Sequence, residues 1–238
     1  METTLPHHLL ALFLVLVFPL WDRRETRLLK ADPSKERRIR SYQKTVGWLW
    51  TATALLLITT PHAALLAPPE ISWLAERSRL PILVALCVGL GAGIALPAIV
   101  ALRDGAARAG QLRHLSHIAF FLPVSRAERR WFSAVCVSAG ICEELIFRGF
   151  LIRYVEAVVP GLGWTGAILV AALVFGVDHG YQGWKGILQT TFFALVFTLL
   201  FVLAGNLWVP MIAHALLDLR LLLILEPDVP ITGAPAAG

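Results

Sequence analysis

Seven runs of apolar residues, at 5–21, 46–66, 80–102, 131–159, 161–177, 186–204 and 207–225, limit what this chain can fold into. Each is near the length of about 20 residues that a helix needs to cross a hydrocarbon core. In lipid the backbone must satisfy its own hydrogen bonds, so such runs become helices. Composition agrees, with 57% hydrophobic and 16% charged residues and a mean hydropathy of +0.70. A soluble domain has roughly 45–50% apolar residues. The expected fold is all-α, a polytopic transmembrane helical bundle of about seven spans in the cell membrane. The first run has no basic segment before it and no A-x-A site after it, so it reads as a permanent span, not a cleaved signal.

Charge orients the bundle. The connection DRRETRLLKADPSKERRIRSYQK is dense in Arg and Lys, and residues 103–130 hold six arginines. By the positive-inside rule both are cytoplasmic, with the N-terminus outside and the C-terminus inside. The net charge of +5 therefore speaks to topology and to contact with the lipid bilayer, and no nucleic acid is expected as a partner. Trp21, Trp131, Trp164 and Trp208 lie near run ends, as interfacial anchors do. Cys87, Cys136 and Cys142 lie in apolar segments without CxxC spacing, which indicates neither a disulfide framework nor a thiolate metal site. SRAERRWF reads as a short surface helix leading into the fourth span, with Ser125 as N-cap and Glu128 at the capping-box position. No linker or repeat divides the chain. It reads as N-terminal spans and basic loops over 1–121, a helical core over 122–225 and a disordered tail over 226–238.

Three polar constellations sit inside apolar runs, where each charge costs roughly 2.5–3.5 kcal/mol at the bilayer centre unless it faces protein or a wet cavity. The first is Glu143, Glu144 and Arg148. At i,i+4 spacing Glu144 and Arg148 can pair along one face, while Glu143 points about 100° away and stays free to act as a general base. The second is FGVDHG, in which Phe175 can orient His179 and Asp178 caps the helix or faces water. The third is His214 with Asp218, again at i,i+4, where the carboxylate can fix the imidazole tautomer. Arg220 lies on another face and reads as an anchor.

Together these make a hydrolytic set. Glu143 and His179 can activate water while His214 and Asp218 polarise a scissile carbonyl. Alternatively, Glu143, His179 and His214 are the His2Glu ligands of a catalytic metal such as zinc, assembled from separate helices because the chain has no HExxH. Spacing leaves both open. Straight spans also place His179 roughly 15 Å nearer the cytoplasm than Glu143 and His214, at about 1.5 Å per residue, unless the fifth span starts nearer Trp164.

The order EExxxR (Glu143, Glu144, Arg148), FxxxH (Phe175, His179) and HxxxD (His214, Asp218) resembles the CPBP family, the type II CAAX prenyl endopeptidases and bacterial relatives also called the Abi family. The likeness runs over 122–220. It implies an intramembrane protease, a metalloprotease or a glutamate protease, acting on membrane-associated and in some members prenylated substrates. In it Glu143 and His179 activate water, His214 and Asp218 form the oxyanion site, and Glu144 and Arg148 support them. Asp218 stands where many CAAX enzymes carry Asn. Some bacterial members are associated with bacteriocin maturation or self-immunity, which makes a non-enzymatic immunity or scaffold protein the alternative. A proton-coupled transporter would show an inverted repeat, and the sequence has none.

Overall fold

The computed structural model describes residues 3–71 and 76–231. The chain is 85% helical, without a strand among the described residues. The helices are α1 (Leu5–Ala31), α2 (Lys35–Thr59), α3 (His62–Leu66), α4 (Glu76–Arg103), α5 (Gly105–Leu115), α6 (126–158), α7 (Gly163–Asp178), α8 (Gly183–Ala204), α9 (Trp208–Leu219) and α10 (Leu221–Ile224).

Four helical stretches are long and apolar enough to cross a membrane: Leu5–Ala31, Ser78–Arg103, Pro160–Asp178 and Gly180–Ala204. The other three expected spans differ for local reasons. Helix α2 is polar in its first half and stops at Thr59, because the residue before Pro61 is held extended (Thr60 φ −125°, ψ 130°). Helix α6 is continuous but carries Glu143, Glu144 and Arg148. The run 207–225 is split after Leu219 into a 12-residue and a 4-residue helix. The basic connection after the first run is also not a loop. It is helical on both sides of Asp32–Pro33–Ser34, and Arg37 with Asp32 (2.9 Å) and Lys44 with Glu25 (3.0 Å) tie its charges together. Of the tail, 232–238 lies outside the described residues, while the Asp228 amide donates to the Val124 carbonyl.

Helix α6 is the hub. Its start is fixed by the expected cap: Ser125 Oγ accepts from the Glu128 amide, and Glu128 returns the bond by accepting from the Ser125 amide. Arg38 of α2 closes on the same carboxylate. Further in, Cys142, Phe150, Leu151 and Ile152 are almost fully buried against Leu56, Leu65, Ala167, Phe201 and Leu207. Because lipid is as apolar as leucine, helices in a bilayer are held by close packing at small residues. Gly140 of α6 lies so close to α9 that a Cβ there would sit 2.8 Å from the Ala215 side chain and 2.9 Å from the Met211 carbonyl. A Cβ on Gly176 of α7 would overlap Thr191 Oγ1 and lie 2.8 Å from the Ile187 carbonyl of α8. Gly205, with φ +69°, turns the chain out of α8 towards α9.

Two outcomes follow from this packing. Gly176→Ala forces α7 and α8 apart and lowers stability by about 1–3 kcal/mol, read as a lower Tm in detergent, whereas Gly89→Ala, with open space around it, leaves Tm unchanged or higher. At Glu128 burial raises the carboxyl pKa, but the bonds from Ser125 and Arg38 outweigh it and hold the value below the usual range. Its contribution is therefore present above the unfolded-state pKa and is lost as pH falls through the folded value. Thermal scans from neutral to acid pH are expected to show a smaller fall for Glu128→Gln than for the wild type.

Candidate active site

Immediately after Glu143, helix α6 widens into a π-helical stretch, Glu144–Leu151, whose eight residues are all buried. Such widened turns are rare and recur at functional sites. Here the stretch carries Glu144 and Arg148 inward. Glu144 Oε1 lies 3.0 Å from Arg148 Nη1, and both side chains are sealed from solvent. The guanidinium is further sandwiched by Phe175 of α7 at 4.5 Å and Phe197 of α8 at 5.5 Å, as cation–π partners.

The same Glu144 oxygen takes a second partner, His214 Nδ1 of α9, at 2.8 Å. Helical spacing had suggested Asp218 for the task of fixing this ring. The structure gives it to Glu144, because α6 and α9 approach closely at Gly140 one turn earlier. A carboxylate oxygen beside Nδ1 leaves Nε2 as the nitrogen that faces Asp218 Oδ2 (3.6 Å) and Glu143 Oε2 (3.8 Å). Phe197 stacks on the imidazole, 5.1 Å between centroids and 21° between planes. The ring is thus held at one nitrogen and on one face.

Glu143 is the acid left over. Its Oε2 is buried and has no hydrogen-bond partner. His179 closes the wall opposite: its Nδ1 lies 2.7 Å from the Phe175 carbonyl oxygen, and its ring rests on the Phe175 ring at 4.5 Å. A carbonyl only accepts, so Nδ1 carries the proton and the neutral ring keeps its lone pair on Nε2. The expected mismatch in depth does not appear. Helix α7 begins at Gly163, beside Trp164, and Phe175 packs edge-on against Phe147 at 4.9 Å and against His214 at 6.1 Å, which brings the FxxxH turn level with Glu144 and His214.

Glu143, His179, His214 and Asp218 line one cavity of about 850 Å³, with Phe175, Phe197, Tyr181, Trp21 and Asp22 among its other walls. Among the described residues no three His, Cys, Asp or Glu side chains are grouped to hold an ion. Glu144 and the Phe175 carbonyl each hold Nδ1 of one histidine and leave its Nε2 open to the cavity, as the outer partners of metal-ligating histidines also do.

Asp178 is a correction. The sequence suggests a cap or a water-facing residue, yet it is 5% exposed, its two carboxylate oxygens are unpartnered, and it lines the same cavity. The available signal was a carboxylate directly before His179 in an otherwise apolar run.

Residues 127–220 match the family model of the Rce1-like type II CAAX prenyl endopeptidases. The chain carries an Rce1-like domain. Neither a curated protein nor a solved structure matches the chain. The matched segment runs from the first turn of α6 to the end of α9, and all seven residues of the three motifs fall inside it. The Rce1-like family is one of CAAX-type proteases, and its likeness over this segment together with four long apolar helices supports a membrane protein.

The two glutamates have opposite structural roles, and stability separates them. Glu144→Ala leaves Arg148 buried without its counter-charge and is expected to lower stability by about 3 kcal/mol or more. Glu143→Ala removes a carboxylate that holds no bond and leaves Tm at or above the wild-type value. Thermal unfolding of both variants in one detergent makes the comparison.

Proposed function

We propose that this Rce1-like protein is an intramembrane endopeptidase that hydrolyses a peptide bond of a membrane-associated substrate through water activated by Glu143 and His179. What carries the reading is the unpartnered Glu143 carboxylate, facing a cavity that also holds the free Nε2 nitrogens of two fixed histidines.

The chemistry needs four events. Water enters between Glu143 and His179, whose acceptor atoms, a carboxylate oxygen and Nε2, polarise its O–H bonds. The water oxygen attacks the scissile carbonyl carbon as its proton passes to Glu143, and the carbonyl π electrons move onto oxygen. His214, positioned by Glu144 at Nδ1, meets that oxyanion with Nε2–H when the ring carries both protons, and Asp218 supports the same nitrogen. The C–N bond then breaks as the proton held on Glu143 passes to the leaving amine, giving a carboxylic acid and a new N-terminus. Glu144, Arg148, Phe175 and Phe197 act by holding the histidines. A CAAX-like C-terminal peptide, prenylated or not, is the substrate class that the family points to.

Glu143→Gln and His179→Ala are each expected to reduce turnover by at least about 100-fold while the protein still inserts and elutes as the wild type does. Comparison of membrane proteomes from cells carrying wild type and Glu143→Gln identifies the substrate as the protein that stays uncut. Wild-type turnover by purified Glu143→Gln overturns the role of Glu143, whereas no cleavage by the wild type together with a phenotype that Glu143→Gln leaves intact overturns the reading in favour of a non-enzymatic membrane protein of the same fold.

A further inference from the structure

The hydrolytic chemistry leaves one group in the cavity unused. Asp178 is 95% removed from solvent, and neither carboxylate oxygen has a hydrogen-bond partner. Removing a carboxylate from water without a counter-charge is among the more destabilising arrangements a protein can hold, and buried unpartnered groups mark places where something else is to bind. The charges that act on it, Glu143 and Asp22, are themselves acidic and line the same cavity. Asp22 comes from the cytoplasmic half of α1, where Phe18, Trp21, Asp22, Glu25 and Leu29 lie on one helical face and line the cavity together. Glu25 is already paired with Lys44. Among the described residues no Lys, Arg or His lies within 4.0 Å of Asp178 or Asp22, although Arg113, Lys185 and Arg220 line other parts of the cavity.

A second feature points to the sign of the missing partner. The wall beside these carboxylates is aromatic: Trp21 lies next to Asp22, and Tyr181, three residues beyond Asp178, stands between His179 (6.0 Å) and Phe121 (5.6 Å). Carboxylates set among aromatic faces suit a cationic side chain, whose charge the acids meet and whose methylenes or planar head the rings cover. Two free acids match one monocation. Among the described residues the acids do not form a three-ligand group, so a divalent ion is the poorer match.

We propose that Asp178 and Asp22 form a cation-accepting subsite that takes a lysine or arginine side chain of the peptide, on the His179 side of the scissile bond. The inference rests on the endopeptidase reading and adds a substrate class to it. Asp178 is a specificity determinant, with no part in bond breaking.

The test uses the full-length purified protein and internally quenched peptides that differ at single positions, carrying Lys, norleucine or Glu. Wild type is expected to favour Lys over norleucine by about tenfold or more in kcat/KM at one position. In Asp178→Asn that ratio falls towards one, carried mainly by KM, and in Asp178→Lys the preference turns towards Glu. A structural role does not produce such a reversal. Asp22→Asn reduces the ratio independently and serves if the Asp178 variants do not fold. An unchanged ratio in both Asp178→Asn and Asp22→Asn overturns the subsite. Binding of the dansylated Lys and norleucine peptides to Glu143→Gln, read by fluorescence anisotropy, separates the two claims. Lys-selective binding without turnover by wild type sinks the peptidase and keeps the subsite, whereas turnover with no Lys preference sinks the subsite and keeps the peptidase.

Discussion

A guanidinium in the middle of an apolar bundle needs a counter-charge, and Arg148 finds it in Glu144. Everything else at the centre is arranged around that pair. Phe175 and Phe197 close over the guanidinium from two helices, and the oxygen that meets Arg148 also holds His214 at 2.8 Å. A buried ion pair is poor evidence of net stability, since desolvation offsets much of the attraction. Its value here is positional. It fixes which nitrogen of His214 faces the cavity and leaves Glu143, one residue away, with nothing to bind except what enters.

That arrangement depends on backbone approach as much as on charge. Gly140 lets α6 and α9 come close enough for a glutamate to reach a histidine across the interface, and Gly176 does the same for α7 against α8. In a bilayer, where burial supplies little drive between helices, such contacts determine the register in which charged groups meet. The π-helical stretch from Glu144 to Leu151 belongs to the same economy of space, since it turns eight consecutive residues inward where a regular helix would show some of them to lipid.

The acidic residues divide into three kinds by their surroundings. Glu128, at the start of α6, is satisfied by a capping box and Arg38 and serves the fold. Glu144 is held through one oxygen, Oε1, by Arg148 and His214 and serves orientation. Glu143 and Asp178 hold buried oxygens with no partner and face one cavity, one assigned to moving protons and the other to recognising a cation. The Rce1-like segment encloses all four. Asp22 reaches the cavity from α1, outside that segment, so the N-terminal helix contributes to the wall as well as to the bundle.

Much of this was legible in the residues alone. Apolar runs imposed helices because lipid offers the backbone no hydrogen bonds. The i,i+4 spacing of Glu144 and Arg148 implied their pairing, and Ser125 with Glu128 implied the start of α6, since both are interactions within one helix and follow from its pitch. Contacts between helices were not legible. Sequence spacing assigned the anchoring of His214 to Asp218, the nearest acid along its own helix, whereas packing gave it to Glu144 seventy residues earlier. It sent Asp178 to water, and packing turned it inward. It suggested seven spans, and one proline, three charges and a break after Leu219 left four that qualify by length and composition. Helical periodicity determines which side chains share a face. Which faces meet, and at what depth, is decided by small residues and charge pairs on different helices, and only the assembled bundle brings those together.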